Sequence, residues 1–413
     1  MKMNSFILFF VLLILACTKE KEEKPQPPVS DYKQFGSLSE LEQTILQLIS
    51  LPDSLARVQR MNALWDSLKT NRQIPFAVGD SVMFFYKGQV NTVLWAGDFN
   101  SWNPNTSGWA GQRIGQSDIF QVKRTFPSDS RLDYKLVINN NWVLDPANSY
   151  VQYSGFGPNS ELRMPDWVFP KETVRTEGVN RGTLGANQLI HSSSGYLGYQ
   201  VQYKVYLPYG YETLNNIPVI YVTDGHEYAD DRLGAMVIVL DNLIHQRKIK
   251  PLIAVFVDPR NPSNLSQNRR MDEYRANIRF AGFLAEELVP QIDADYKTNP
   301  SVNSRAILGT SLGGWNSAFT GIRHPETFGL IGIHSPAFDQ AILQEYNSQP
   351  QVQLKIFMST GLINDTQNQA RAMRDIMQAK GYPLKYIEVN EGHSWGNWRA
   401  LIEEPLVYFF PPE

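Results

Sequence analysis

The chain of 413 residues has a single cysteine, Cys17, so no disulfide can form within it. It has no excess of charge of one sign, since 38 Lys and Arg stand against 41 Asp and Glu. That balance, without a basic stripe, excludes nucleic acid as a partner. No apolar run is long enough to cross a bilayer, which takes about 20 residues. There is no internal repeat, and only six histidines are available for chemistry. What the chain has is size enough for more than one domain, an apolar fraction of 42% and a rich 12% of aromatics.

The first 16 residues read as an address, not as fold: Lys2 precedes the short apolar stretch Phe6 to Leu15, the pattern of a secretory signal. The stretch ends in Ile14-Leu15-Ala16-Cys17, which resembles a bacterial lipobox, although Leu15 stands where a smaller residue is commoner. Acylation of Cys17 is therefore expected to tether the protein to a membrane of the bacterial cell envelope, with no part spanning it. A plain secretory signal with an incidental cysteine is the alternative. Residues 17–35, charged and proline-bearing, suit a disordered tether.

Three textures follow. Residues 36–72 carry apolar residues at helical spacing in two runs, broken at Pro52-Asp53-Ser54, and predict a helical hairpin. Residues 73–168 alternate in short runs such as Ser81 to Tyr86, Val93 to Gly97, Phe120 to Thr125 and Leu132 to Ile138, the texture of an immunoglobulin-like β-sandwich. After a linker over 169–184, residues 185–413 interleave apolar strands (Val219 to Val222, Leu252 to Val257, Arg305 to Gly309, Leu354 to Met358) with helical periods. Continuous apolar strands of this kind are buried on both faces of a parallel sheet, so this region is α/β.

Gly309-Thr310-Ser311-Leu312-Gly313 has the form G-x-S-x-G between a buried strand and a helix. That context is what the motif needs. The serine sits on a tight strand-to-helix turn, where only glycine fits at the flanks. Ser311 is thus the candidate nucleophile, and the amide of Leu312 is the candidate first half of an oxyanion hole. The second half belongs to the loop after Val219 to Val222, where the Gly225 and His226 amides are available.

A serine hydroxyl needs a base. In this fold class the chain order is serine, acid, histidine. His324 and His334 follow Ser311 too closely to leave room for a strand and an acid. His393, in the glycine-loosened loop Glu391-Gly392-His393-Ser394-Trp395 after the run Lys385 to Val389, is in the right place. The acid should leave the preceding strand, which selects Asp365, with Asp375 as a mid-helix rival. No cofactor or metal is expected.

These motifs, with Tyr206-Leu207-Pro208-Tyr209-Gly210-Tyr211 and Asp224-Gly225, resemble an esterase family that includes carbohydrate esterase family 1 feruloyl esterases and enterochelin esterases. The resemblance covers residues 182–413 and implies an α/β-hydrolase domain with Ser311, Asp365 and His393 as triad. It also implies the His226 and Leu312 amides as oxyanion hole. Ahead of it, Trp95-Ala96-Gly97-Asp98-Phe99-Asn100-Ser101-Trp102, Asp133-Tyr134-Lys135-Leu136 and Asn141-Trp142-Val143-Leu144-Asp145-Pro146 resemble a family 48 carbohydrate-binding module. That resemblance implies glucan contact through Trp102, Lys135 and Trp142, in keeping with flat rings on sugar C–H faces and an ammonium donating to hydroxyls.

Together the two resemblances imply a serine esterase removing feruloyl or acetyl groups from plant polysaccharide. A siderophore trilactone is the alternative substrate, since Arg270-Met271-Asp272-Glu273-Tyr274 also looks like a stretch of the enterochelin enzymes. A glycan-binding lipoprotein with a relict hydrolase fold is the non-enzyme reading.

Overall fold

The computed structural model describes residues 34–412. The signal segment, Cys17 and nearly all of the expected tether lie outside the described residues. Phe35, assigned to the tether from sequence, is buried, and its backbone N–H and C=O pair with the Gln73 side chain. No helix among the described residues is long and apolar enough to cross a membrane.

Two helices, Leu38–Ile49 and Ser54–Thr70, form the hairpin. Ser37 and Asp53 cap them by accepting backbone N–H bonds, the role short polar side chains fill at helix starts. Their apolar faces (Leu41, Ile45, Leu48, Met61, Leu64, Leu68) bury against Phe76, Met83, Phe85 and Ile119 of the sandwich. The sandwich has one sheet in the order Phe76–Val78, Ser81–Lys87, Ile119–Thr125, Gln112–Arg113. Its second sheet runs Val93–Gly97, Arg131–Ile138, Gly157–Arg163, Val151–Ser154, with Asn141–Val143 also on Arg131–Ile138. All pairings are antiparallel. Between the sheets Phe84, Trp95, Trp109 and Tyr134 pack into one aromatic core. Much of the aromatic surplus is therefore core.

The region after the sandwich is built on one large sheet. Its strands are β1 (Gln188–His191), β2 (Gln200–Leu207), β3 (Val219–Val222), β4 (Ile253–Asp258), β5 (Arg305–Thr310), β6 (Leu330–His334), β7 (Lys355–Gly361) and β8 (Leu384–Val389). They lie in the order β1-β2-β4-β3-β5-β6-β7-β8, with β1 and β2 antiparallel to their neighbours and the rest parallel. Thr183–Leu184, read as linker, instead pairs with the end of β2. Apolar clusters cover both faces, so β3, β4, β5 and β6 are wholly buried. Two short helices, Trp395–Ala400 and Glu403–Phe409, follow β8. The crossovers leave the carboxyl ends of β3, β5, β6, β7 and β8 along one edge, where α/β sheets place their ligands.

Candidate active site

Ser311 leaves the end of β5 with φ +57 and ψ −116, a conformation that L-residues avoid and that surrounding structure must impose. The constraint is visible. Ser311 N–H donates to the His334 carbonyl at 2.9 Å, and Ala337 N–H donates to the Ser311 carbonyl at 3.0 Å. A Cβ on Gly309 would overlap the Gly313 backbone, and one on Gly313 would press on Thr223, so the turn closes only with glycine at both flanks. The helix Leu312–Arg323 then begins, and the Leu312 amide is among the first N–H groups that no intrahelical carbonyl takes.

His393, in the loop after β8, accepts from or donates to Ser311 Oγ through Nε2 at 2.9 Å. Its Nδ1 lies 2.6 Å from Asp365 Oδ1. The ring stands edge-on to Trp398, centroids 5.0 Å apart. Asp365, in the loop after β7, has its other oxygen filled: Oδ2 accepts from Ser335 Oγ at 2.6 Å and from Gly361 N–H at 2.5 Å. Burial alone would raise the Asp365 carboxyl, but its bond to His393 and these further donors hold it below its ordinary range. The three residues named from sequence thus form one continuous hydrogen-bonded chain. Sequence did not point to Ser335, which sits at the end of β6 with φ +41.

The rivals lie elsewhere. Asp375 is exposed beside Arg374. His334 is fully buried against Ser359, and burial drives its pKa down to about 3, so it is a neutral core histidine. His324 is buried beside Glu326 at a helix end. His226 occupies the second position of the short helix Gly225–Tyr228, which opens directly after β3. Its imidazole points into a separate cavity of about 200 Å³, near Asp258. Only its backbone is left for the role given to it. Asp224, just ahead, is buried and accepts from Arg270 Nε through both oxygens at 2.9 Å, while Arg270 also donates to the Thr310 carbonyl.

Ser311 and His393 open into a cavity of about 660 Å³ with two walls. The large sheet supplies Asp224, Glu227, Arg270, Asn364, Trp395 and Trp398. The sandwich supplies Asp98, Trp102, Asp133, Lys135, Trp142 and Phe156. Trp102, Lys135 and Trp142 therefore face the same space as Ser311 and are not on a remote surface of the sandwich. The two indoles lie nearly parallel, 6.4 Å apart at 26°. Trp102 is aimed by two consecutive left-handed residues, Ser101 and Trp102, and by its indole N–H donating to Asp98 at 3.1 Å. Among the described residues no group of His, Cys, Asp and Glu is arranged to hold a metal ion.

Comparison with known proteins is consistent with this geometry. Residues 194–409, just over half of the chain, match the family model Esterase, described as "Putative esterase". The chain is 29% identical over 218 residues to an endo-1,4-beta-xylanase/feruloyl esterase of Xylanibacter ruminicola, a match covering 50% of this chain and 29% of that protein. It is 24% identical over 188 residues to an iron(III) enterobactin esterase of Escherichia coli, covering 42% of this chain and 45% of that protein. In fold it is similar to the enterobactin esterase of Shigella flexneri, with a TM-score of 0.65 and 17% identity over 80% of this chain and 92% of that one. The chain belongs to the esterase family and is an ester hydrolase.

Proposed function

We propose that this ester hydrolase works by a serine mechanism and removes feruloyl or acetyl groups from plant polysaccharide or its oligosaccharides. The observation that carries the reading is the unbroken chain Asp365–His393–Ser311 opening into a cavity whose opposite wall is aromatic. Ser311 Oγ attacks the ester carbonyl carbon while His393 Nε2 takes its proton. The carbonyl oxygen becomes an oxyanion facing the Leu312 and His226 amides. Asp365 holds the imidazole by Nδ1 and stabilises its positive charge. Collapse of the intermediate breaks the C–O bond, and His393 gives its proton to the departing sugar hydroxyl. A water molecule, deprotonated by His393, then releases the acid and restores Ser311.

Trp102 and Trp142 offer flat faces to a sugar or a phenolic ring, and Lys135 donates to hydroxyls. The charge of the cavity bears on the alternative. Lys135 and Arg270 are the cations among its lining residues, and Arg270 is already paired with Asp224. An anionic ferric catecholate would meet little compensating charge there, whereas a neutral glycosyl ester needs none. The likeness of fold to an enterobactin esterase keeps the trilactone as the second reading. Attachment to the cell envelope through an acylated Cys17 belongs to the same proposal, and Cys17→Ser should move the protein from the membrane to the soluble fraction.

The test is hydrolysis of p-nitrophenyl acetate by the protein and by Ser311→Ala, followed by methyl ferulate, acetylated xylan and a catecholate trilactone. Loss of activity in the variant supports the mechanism. Full activity in Ser311→Ala sinks it, and preference for the trilactone sinks the substrate assignment.

A further inference from the structure

The loop that carries His393 is gripped by the sandwich. Arg131, first residue of the strand Arg131–Ile138, is fully buried at the junction between sandwich and large sheet. Its guanidinium bonds Glu161 at 2.5 Å through Nε and Asp133 through Nη2. Nη1 turns the other way, donating to Ser394 Oγ at 3.2 Å and lying 3.9 Å from Glu391. Arg131 also forms an isolated parallel β-bridge with Glu391. Ser394 and Glu391 stand one residue after and two before His393.

Two glycines, Gly392 in this loop and Gly396 in the helix that follows it, carry the imprint of the same contact. A Cβ on Gly392 would run into the Asp98 carboxylate, and one on Gly396 into the Arg131 guanidinium. The neighbouring loop is held likewise: Asn364, next to Asp365, donates through Nδ2 to the Asp98 carbonyl at 2.8 Å. Ile363 N–H donates to the Glu391 carbonyl at 3.1 Å, tying the two loops together. A buried arginine among carboxylates is seldom the most stable way to fill such a space, since apolar packing does as well or better. What the ion cluster supplies is a fixed position for the groups bonded to it.

We infer that Arg131 is a positioning residue for the base: with Ser394 and Glu391 it clamps the His393 loop onto the sandwich, so the sandwich completes the catalytic geometry. The inference rests on the serine mechanism proposed above. It extends that mechanism to a residue of the other domain, more than 170 positions before the nucleophile. Misplacement of a reacting group by about 1 Å costs on the order of 100-fold in rate, so a loosened clamp should be read in kcat.

The experiment uses the full chain with p-nitrophenyl acetate and three variants: Arg131→Lys, Ser394→Ala and, as a scale for plain destabilisation, Val122→Ala in the far sheet of the sandwich. Arg131→Lys keeps the charge but loses the fork, and should lower kcat about 10- to 100-fold. Ser394→Ala should lower it about 10-fold, with KM within about twofold in both and the acid limb of the pH–rate profile displaced. Val122→Ala should lower the unfolding midpoint with kcat unchanged. Wild-type kcat in Ser394→Ala would overturn the inference even if Arg131→Lys failed to fold. So would losses that track the unfolding midpoint as they do in Val122→Ala, or losses confined to KM. An active Ser311→Ala, by contrast, would strike at the mechanism and not at the clamp.

Discussion

The two walls of the cavity are built by different means. On the large-sheet side the decisive atoms are placed by backbone: a serine at φ +57, held at its N–H by the end of β6 and at its C=O by the loop after it, between glycines that nothing else can replace. On the sandwich side they are side chains on a short strand and on turns, with Trp142 46% exposed and Phe156 fully so. Backbone placement admits little adjustment, so changes there act on the chemical step. Such side chains contribute separately and in moderate amounts, so changes there should act on binding and leave a simple ester almost untouched.

The comparison is broken most severely at the histidine and its acid. His393→Ala should lower kcat on p-nitrophenyl acetate by about 10⁴-fold or more, and Asp365→Asn by about 10³- to 10⁴-fold. A loss below tenfold in Asp365→Asn would remove Asp365 from the acid role, since an orienting carboxylate bonded to Nδ1 cannot be lost so cheaply.

The sandwich wall should respond by a smaller amount and in another parameter. Trp142→Ala is expected to raise KM for a feruloylated oligosaccharide by about tenfold, the equivalent of about 1.4 kcal/mol for one stacked ring. Its effect on p-nitrophenyl acetate should be under twofold. Trp102→Ala should cost more, because its indole N–H is a partner of Asp98, whose carboxylate also receives the Asp133 N–H. Equal losses on both substrates would mean that the indoles support the fold and do not read the substrate.

The same division explains what could be read in the chain beforehand. The elbow around Ser311 is local: five consecutive residues contain the turn, its glycines and its helix start. Once that was placed, the alternation of strands and helices led to the loops after β7 and β8, and so to Asp365 and His393, without knowledge of any contact. The buried aromatics Trp95 and Trp109 and the cavity-facing Trp102 and Trp142 look alike in sequence, since a sandwich strand shows which residues alternate but not what docks on its outer face. Arg131 was invisible for a stronger reason. A lone arginine at a strand start is ordinarily a surface residue, and its partners Glu391 and Ser394 lie over 250 positions away. Gly392 is legible as a loosening residue of the loop, but the reason for it and for Gly396 is the shape of Asp98 and Arg131. Antiparallel β2 and the edge strand at Thr183–Leu184 depend on pairing with distant segments, which local pattern does not carry.

The smallest effect is the most specific to the junction between the walls. Three carboxyl groups, Asp133, Glu161 and Glu391, surround the Arg131 guanidinium, and Arg163 also bonds Glu161, so two cations serve three carboxyls. Glu391 is the farthest of them. Burial pushes its pKa up to about 7, opposed by Arg131 and by the Trp167 indole N–H and assisted by Glu161 and Asp133. Folded, it keeps its proton to about pH 7; unfolded, a glutamate releases it near pH 4.3. Between those values the native state binds more protons than the unfolded chain, so stability falls as pH rises through that window and is level above it. Other raised carboxyls, Asp98 and Glu273 among them, act in the same sense. Asp365, held low, acts only below its ordinary range. Comparing wild type with Glu391→Gln cancels those shared contributions. The difference in unfolding free energy between pH 5 and pH 8 should shrink in the variant by about 1–3 kcal/mol, followed by chemical denaturation. Equal pH slopes in the two proteins would mean that Glu391 is ionised in the fold, and that Arg131 holds the base loop as an ion pair instead of through Ser394 and a neutral carboxyl.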